Sequence, residues 1–80
     1  MTMYTGMQTF SFGDGSRDRI LVPATGGTVS VEFWNGEGWV LDSDSPLTSP
    51  GTIYTRNVRL RLESTTPYTF DDRDALHESN

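Results

Sequence analysis

The residues able to do chemistry are few, and their spacing separates catalysis, metal binding and contact. Histidine occurs once, as His77, in the polar stretch near the end of the chain. A general base needs a fixed position and a tuned pKa; an exposed terminal stretch supplies neither, so a solvated side chain is expected. Serine and threonine are abundant, but no Gly-x-Ser-x-Gly elbow surrounds any of them. Asp14, Ser16 and Asp18 place oxygens at alternate positions, as a calcium loop begins, and residues 42–45 have the same partial look. Neither run leads to the bidentate Glu of such a loop, and Arg17 and Arg19 intrude on the first. Both fit ordinary Asx turns. No second histidine completes a metal triad. Gly13-Asp14-Gly15 and Gly36-Glu37-Gly38 are acidic and lead into no helix, so neither is a phosphate cradle. The expectation is a protein that is not an enzyme, with no cofactor and no metal.

Contact chemistry is better represented. Trp34 and Trp39 flank an Asn-Gly turn, with Glu32 and Tyr54 as candidate neighbours. Aromatics of this kind serve sugar platforms and protein interfaces; the plainer expectation is a cross-strand aromatic pair covering a thin core. All 6 basic residues are arginine, and three of them, Arg56, Arg59 and Arg61, crowd one segment. A planar guanidinium pairs carboxylates and stacks on aromatics, so this stripe is either a docking surface or a solvated face guarding a sheet edge. Trp34, Trp39, Tyr54, Arg56, Arg59 and Arg61 form the candidate interface.

Strands must position these groups, because the vocabulary is Thr, Ser, Val, Tyr, Phe and Trp, with Gly and Pro punctuating every several residues. Segment 7–12 puts Gln8, Phe10 and Phe12 on one face. Segment 19–22 stops at Pro23. Segment 28–34 alternates, with Val29, Val31 and Phe33 opposite Ser30, Glu32 and Trp34. Asn35-Gly36 then reverses the chain into 39–41, the strongest short-range hairpin signal. Residues 42–51 are a loop. Segment 52–55 follows, then 58–63, with Val58, Leu60 and Leu62 opposite Arg59, Arg61 and Glu63. Thr65-Thr66-Pro67 is expected to turn the chain into 68–70. The result is an all-β fold, a small antiparallel β-sandwich or barrel of six to seven short strands, Ig-like in style. Residues 1–70 make the domain. Residues 71–80 make an acidic C-terminal arm in which Asp71 or Asp72 caps at most one helical turn, ordered only against a partner.

Composition bounds the rest. Eighty residues suit one domain with a thin core. Without cysteine there is no disulfide to support it. No apolar run approaches the length of a membrane span, and the first ten residues lack the pattern of a signal peptide. A net charge of −5 argues against nucleic acid and anionic lipid as partners.

Two runs, 28–40 and 49–62, resemble small structural proteins of tailed bacteriophages: alternating valines into an aromatic, Asn-Gly, Trp-Val, a Pro/Thr/Ser loop, then a strand carrying Arg-Leu-Arg. The similarity spans about residues 28–70. It implies a virion component, a capsid decoration or head–tail accessory protein. Such a protein docks on the major capsid protein, on other virion proteins or on neighbouring copies as a homo-oligomer. It carries over no catalytic residues. A carbohydrate- or receptor-binding module using the exposed aromatics is the alternative.

Overall fold

The computed structural model describes residues 2–78. Among these there are seven antiparallel strands and no helix. They are β1 (Thr2–Ser11), β2 (Arg17–Pro23), β3 (Ser30–Trp34), β4 (Trp39–Leu41), β5 (Gly51–Thr55), β6 (Arg59–Phe70) and β7 (Leu76–Glu78). The expected small antiparallel all-β fold is present. All seven strands belong to one continuous sheet, in the order β4-β3-β6-β1-β7, with β2 paired to both β5 and β6.

The long strand β6 organises the sheet. Along one edge it pairs with β1 over nearly its whole length. Its other edge is shared: residues 60–63 pair with β3, and residues 68–70 pair with β2. The change of neighbour falls at Thr65-Thr66-Pro67, where a turn was expected. The chain bends there without reversing. Tyr4 faces Tyr68 and Gly6 faces Ser64, so three residues of β6 stand opposite one of β1. Such a bulge raises the local twist and curls a sheet. Gly6 supplies the matching distortion on β1, at a φ of 79° that a side chain would resist.

Curling brings the inner faces together. Phe10, Phe12, Leu21, Val29, Val31, Ile53, Leu60, Leu62, Tyr68 and Phe70 form one buried cluster, with Phe33 and Val58 packed against it. The alternation in β3 and β6 therefore sorts as expected. Arg59 and Arg61 lie on a central strand, not on a sheet edge as the protective reading required. The Asn35-Gly36 hairpin is also present, with a division of labour. Gly36 takes the positive φ of 99°. The Asn35 side-chain oxygen accepts from the backbone N–H of Glu37 and Gly38 at 2.8 and 2.9 Å.

The C-terminal arm is a correction. Over residues 71–78 it folds back without any partner, and β7 adds to the free edge of β1, Thr9 facing Glu78 and Ser11 facing Leu76. The expected helical turn is a β-turn, with the Ala75 N–H donating to the Asp72 carbonyl at 3.0 Å and Asp74 at a φ of 64°. The carboxylates hold it in place. Asp71 is buried and takes both Arg73 and Arg19, and Asp72 accepts from the Tyr4 hydroxyl. The part of the arm at residues 79–80 lies outside the described residues.

Candidate functional site

The outer face of β4-β3-β6-β1-β7 carries two rows of side chains in register. One runs Leu41, Glu32, Arg61, Thr9, Glu78. In the next, Trp39 faces Trp34, and Ser11 lies between Arg59 and Leu76. Phe33 faces Leu60, so Trp34 comes beside Arg59 one step further on. The two tryptophans make an edge-to-face pair, centroids 5.4 Å apart, because they are cross-strand partners at the non-hydrogen-bonded positions where side chains come closest. The Arg59 guanidinium sits 5.4 Å from the Trp34 centroid and 5.1 Å from that of Trp39; Arg61 sits 4.5 Å from Trp39.

Both arginines are also neutralised within the chain. Arg61 donates to Glu32 at 2.7 Å. Arg59 holds Glu78 bidentately at 2.7 and 2.8 Å, and Ser11 adds a donor to the same carboxylate at 3.3 Å. Hydrogen bonding to Glu78 raises the Arg59 pKa, and the same bonds hold the Glu78 carboxyl below its ordinary range. The expected cationic docking stripe is thus a ladder of rings and guanidiniums with its charge cancelled. Cation–π contacts of this kind are worth about 0.5–1 kcal/mol each at exposed sites. Toward solvent the ladder presents Trp34, 37% exposed, with Leu41 at 57% and Leu76 at 70%, beside the mutually paired Arg59 and Glu78 side chains at 38% and 34%.

Four of the six candidate interface residues therefore come together, Trp34, Trp39, Arg59 and Arg61. The other two do not join them. Tyr54 lies on β5, which pairs with β2 alone, and its cross-strand neighbour is Asp18. Arg56 sits beyond β5, 3.6 Å from Asp14. The alternating carboxylates at 42–45 are the expected turn, with Asp42 accepting from the Asp44 N–H; those at 14–18 are not, because Asp18 lies within β2 and Asp14 accepts from the distant Asn57. Among the described residues no group of three His, Asp or Glu side chains could hold a metal. His77 is exposed, yet it has a place. Its ring stacks on Phe10 at 4.8 Å and shares a hydrogen bond with Gln8 at 2.8 Å.

Three features lay beyond sequence reasoning. Arg19 is buried at 3% side-chain exposure. It donates to Thr55 Oγ1 at 2.8 Å and to the carbonyls of Asp71 and Arg73 at 3.1 and 2.5 Å, over the Phe12 ring at 4.0 Å. Glu78 completes the ladder through β7. An open cleft of about 510 Å³ continues the same outer face, lined by Thr5, Thr28, Ser30, Glu63, Ser64 and Thr65. Its one sequence signal was the outward alternation of Ser30 and Glu63. No family model, no curated protein and no solved structure matches the chain.

Proposed function

We propose that the protein is a non-enzymatic docking module of a larger assembly. The assembly that fits the resemblance at residues 28–70 is a tailed-phage virion, in which the chain would be a decoration or accessory protein seated on the major capsid protein or on neighbouring copies. The observation that carries the docking reading is the Trp34–Trp39–Arg59–Arg61 ladder. Trp and Arg are the residue types enriched where binding energy concentrates. Here they are rigidified by one another before any partner arrives, which lowers the ordering cost of contact. A thin core gains from such a partner, since binding only the folded state raises stability by mass action.

Mass spectrometry of purified particles, together with melting of the free and the assembled protein, tests this reading. The expected result is the chain in the particle with a higher Tm there. Its absence from every particle removes the virion, and equal Tm values remove the stabilising partner.

A second reading, carbohydrate binding, is favoured by the hydroxyl-lined cleft with the Glu63 carboxylate at its wall. The guanidiniums over the tryptophan rings weigh against it, because they occupy the platform a sugar would stack on. A glycan array on the intact protein and on Glu63→Gln separates the two readings.

A further inference from the structure

We propose that the outward edge of β4 takes up an extended, basic segment of a partner protein as an added strand. This rests on the docking reading above and narrows its partner.

Among the described residues β4 touches no strand but β3, so its far edge is open. Which groups it offers follows from the ladder. The Asn35 N–H donates to the Gly38 carbonyl and the Asp42 N–H to the Val31 carbonyl. Trp34 facing Trp39 and Glu32 facing Leu41 are therefore the non-hydrogen-bonded pairs, and Phe33 facing Val40 is the bonded one. Hence Val40 spends its N–H and C=O on β3, while the N–H and C=O of both Trp39 and Leu41 point away from the sheet. The loop after β4 does not cover them. It runs on along β3, where Leu47 bridges Val29 and Ser45 takes the Val31 N–H.

Edges are ordinarily blunted by a very short strand, a charged side chain, a proline or a bulge. β4 is short, at three residues, but has no charge, proline or bulge within it. Its three residues are Trp39, Val40 and Leu41, and Val40 is 49% exposed on the inner face while Leu41 is 57% exposed on the outer. An added strand would cover apolar surface on both faces as well as fill four backbone groups, the pattern of strand addition. The other open edges suit it less. β5 is entered from Pro50, and β7 ends on Glu78, which Arg59 holds.

Charge selects the occupant. Glu37 precedes β4, and Asp42 and Asp44 follow it; among the described residues none of the three has an arginine partner. A second copy laid antiparallel along this edge, Val40 on Val40, would set Glu37 of one chain against residues 42–44 of the other. Like charges so placed oppose pairing. A strand with a basic residue at each end meets an acid at each end instead.

The probe is the acetylated, amidated peptide Arg-Thr-Val-Thr-Val-Thr-Arg, titrated into the 80-residue protein at low salt while amide hydrogen exchange is followed. With its central threonine on Val40, its valines cover Trp39 and Leu41 and its arginines reach Glu37 and the Asp42/Asp44 pair. The expected result is exchange at the Trp39 and Leu41 amides slowed at least about tenfold. The same peptide with aspartates for arginines should have no effect, and Asp42→Asn/Asp44→Asn should weaken binding by about fivefold, the size two exposed ion pairs allow. Leu41→Pro removes an outward N–H that β3 does not use, so the fold stands, checked by its Tm, and the peptide no longer binds. Unchanged Trp39 and Leu41 amides with the arginine peptide overturn the proposal. So does self-association that protects them without any peptide. If the chain is found in purified particles but these amides exchange freely there, the edge inference falls and the docking reading survives. If the peptide binds while every particle lacks the chain, the edge stands and the virion falls.

Discussion

Replacing Arg19 by Met should destabilise the domain by about 3 kcal/mol. The volume is conserved and methionine adapts to irregular gaps, so the cost is polar. Thr55 loses the Arg19 donor at 2.8 Å but still donates its own hydroxyl to the Arg17 carbonyl at 3.2 Å, so it is not orphaned. The Arg73 carbonyl belongs to an exposed residue and can turn to water. The Asp71 carbonyl belongs to a buried one, and leaving it without a donor costs about 1–3 kcal/mol. The lost charge-assisted bonds to Thr55 and Arg73 add about 1.5–3 kcal/mol each before compensation. The desolvation of a buried charge, no longer incurred, returns part of that. An 80-residue domain holds about 4–12 kcal/mol in all. At about 4–8 °C per kcal/mol for this size, the Tm should fall by about 12–24 °C. Arg19→Lys keeps the charge and loses the fork, so it should fall between Met and the parent. Circular dichroism melts measure the three Tm values, and amide exchange at Ala75 reports whether the C-terminal turn loosens first. A Tm for Arg19→Met within about 3 °C of the parent would refute the reasoning, because it would mean the guanidinium contributes nothing that methionine cannot.

Truncation after Phe70 should abolish cooperative melting near 25 °C, because it removes β7, two of the acceptors of Arg19 and the Asp72 partner of Tyr4; a sharp thermal transition in residues 1–70 would show that the arm is dispensable. The pH dependence should have two limbs. Burial first, and then the hydrogen bond with Asp72, push the Tyr4 phenol up to about 12, and burial raises Tyr68. Their neutral forms are favoured in the fold, so this stability is complete below about pH 10 and is lost as pH rises through the folded values. Asp71 is held well below the usual carboxylate range, chiefly by its hydrogen bonds from Arg73. Its contribution is complete above about pH 4 and is lost as pH falls. Tm measured against pH should fall on both limbs, with Tyr4→Phe flattening the alkaline one; an unchanged alkaline slope in that variant would assign the loss elsewhere.

Alternation was the legible part of the fold. In β3 and β6 one face is buried and the other solvated, so period two in hydrophobicity maps directly onto inside and outside, and the Trp34–Trp39 pair follows from the Asn35-Gly36 hairpin between them. The illegible parts are those where long-range pairing overrides local chemistry. Thr65-Thr66-Pro67 has turn residues, yet β1 supplies Gly6 opposite and the pair bends together. Residues 71–78 have too few apolar groups to form structure alone. What orders them is backbone pairing to an edge of β1 and carboxylates placed on Arg19, Arg73, Tyr4 and Arg59, none of which is near in sequence except Arg73. Arg19 opens a short apolar run, and nothing in its local sequence marks it as buried. Its burial depends on Thr55 and on two carbonyls more than fifty residues away.

The same pairings change what the arginines mean. Each of them has a carboxylate within 3.9 Å, and Asp71 serves two. The acids outside these pairs are Asp18, Glu37, Asp42, Asp44, Glu63 and Asp72, so the net charge of −5 is presented almost wholly by carboxylates. An arginine stripe seeking an acidic partner would weaken with salt and strengthen as the partner grows more negative. A face whose cations are already satisfied behaves in the opposite sense. It repels acidic partners and steers basic ones, with an effect that fades beyond about 8–10 Å at physiological salt. Glu37, Asp42 and Asp44 lie at the ends of β4, whose outward edge is, among the described residues, both open and apolar. The electrostatics that sequence composition assigned to the arginines belongs, in the folded chain, to the six acids outside the arginine pairs, three of which flank β4.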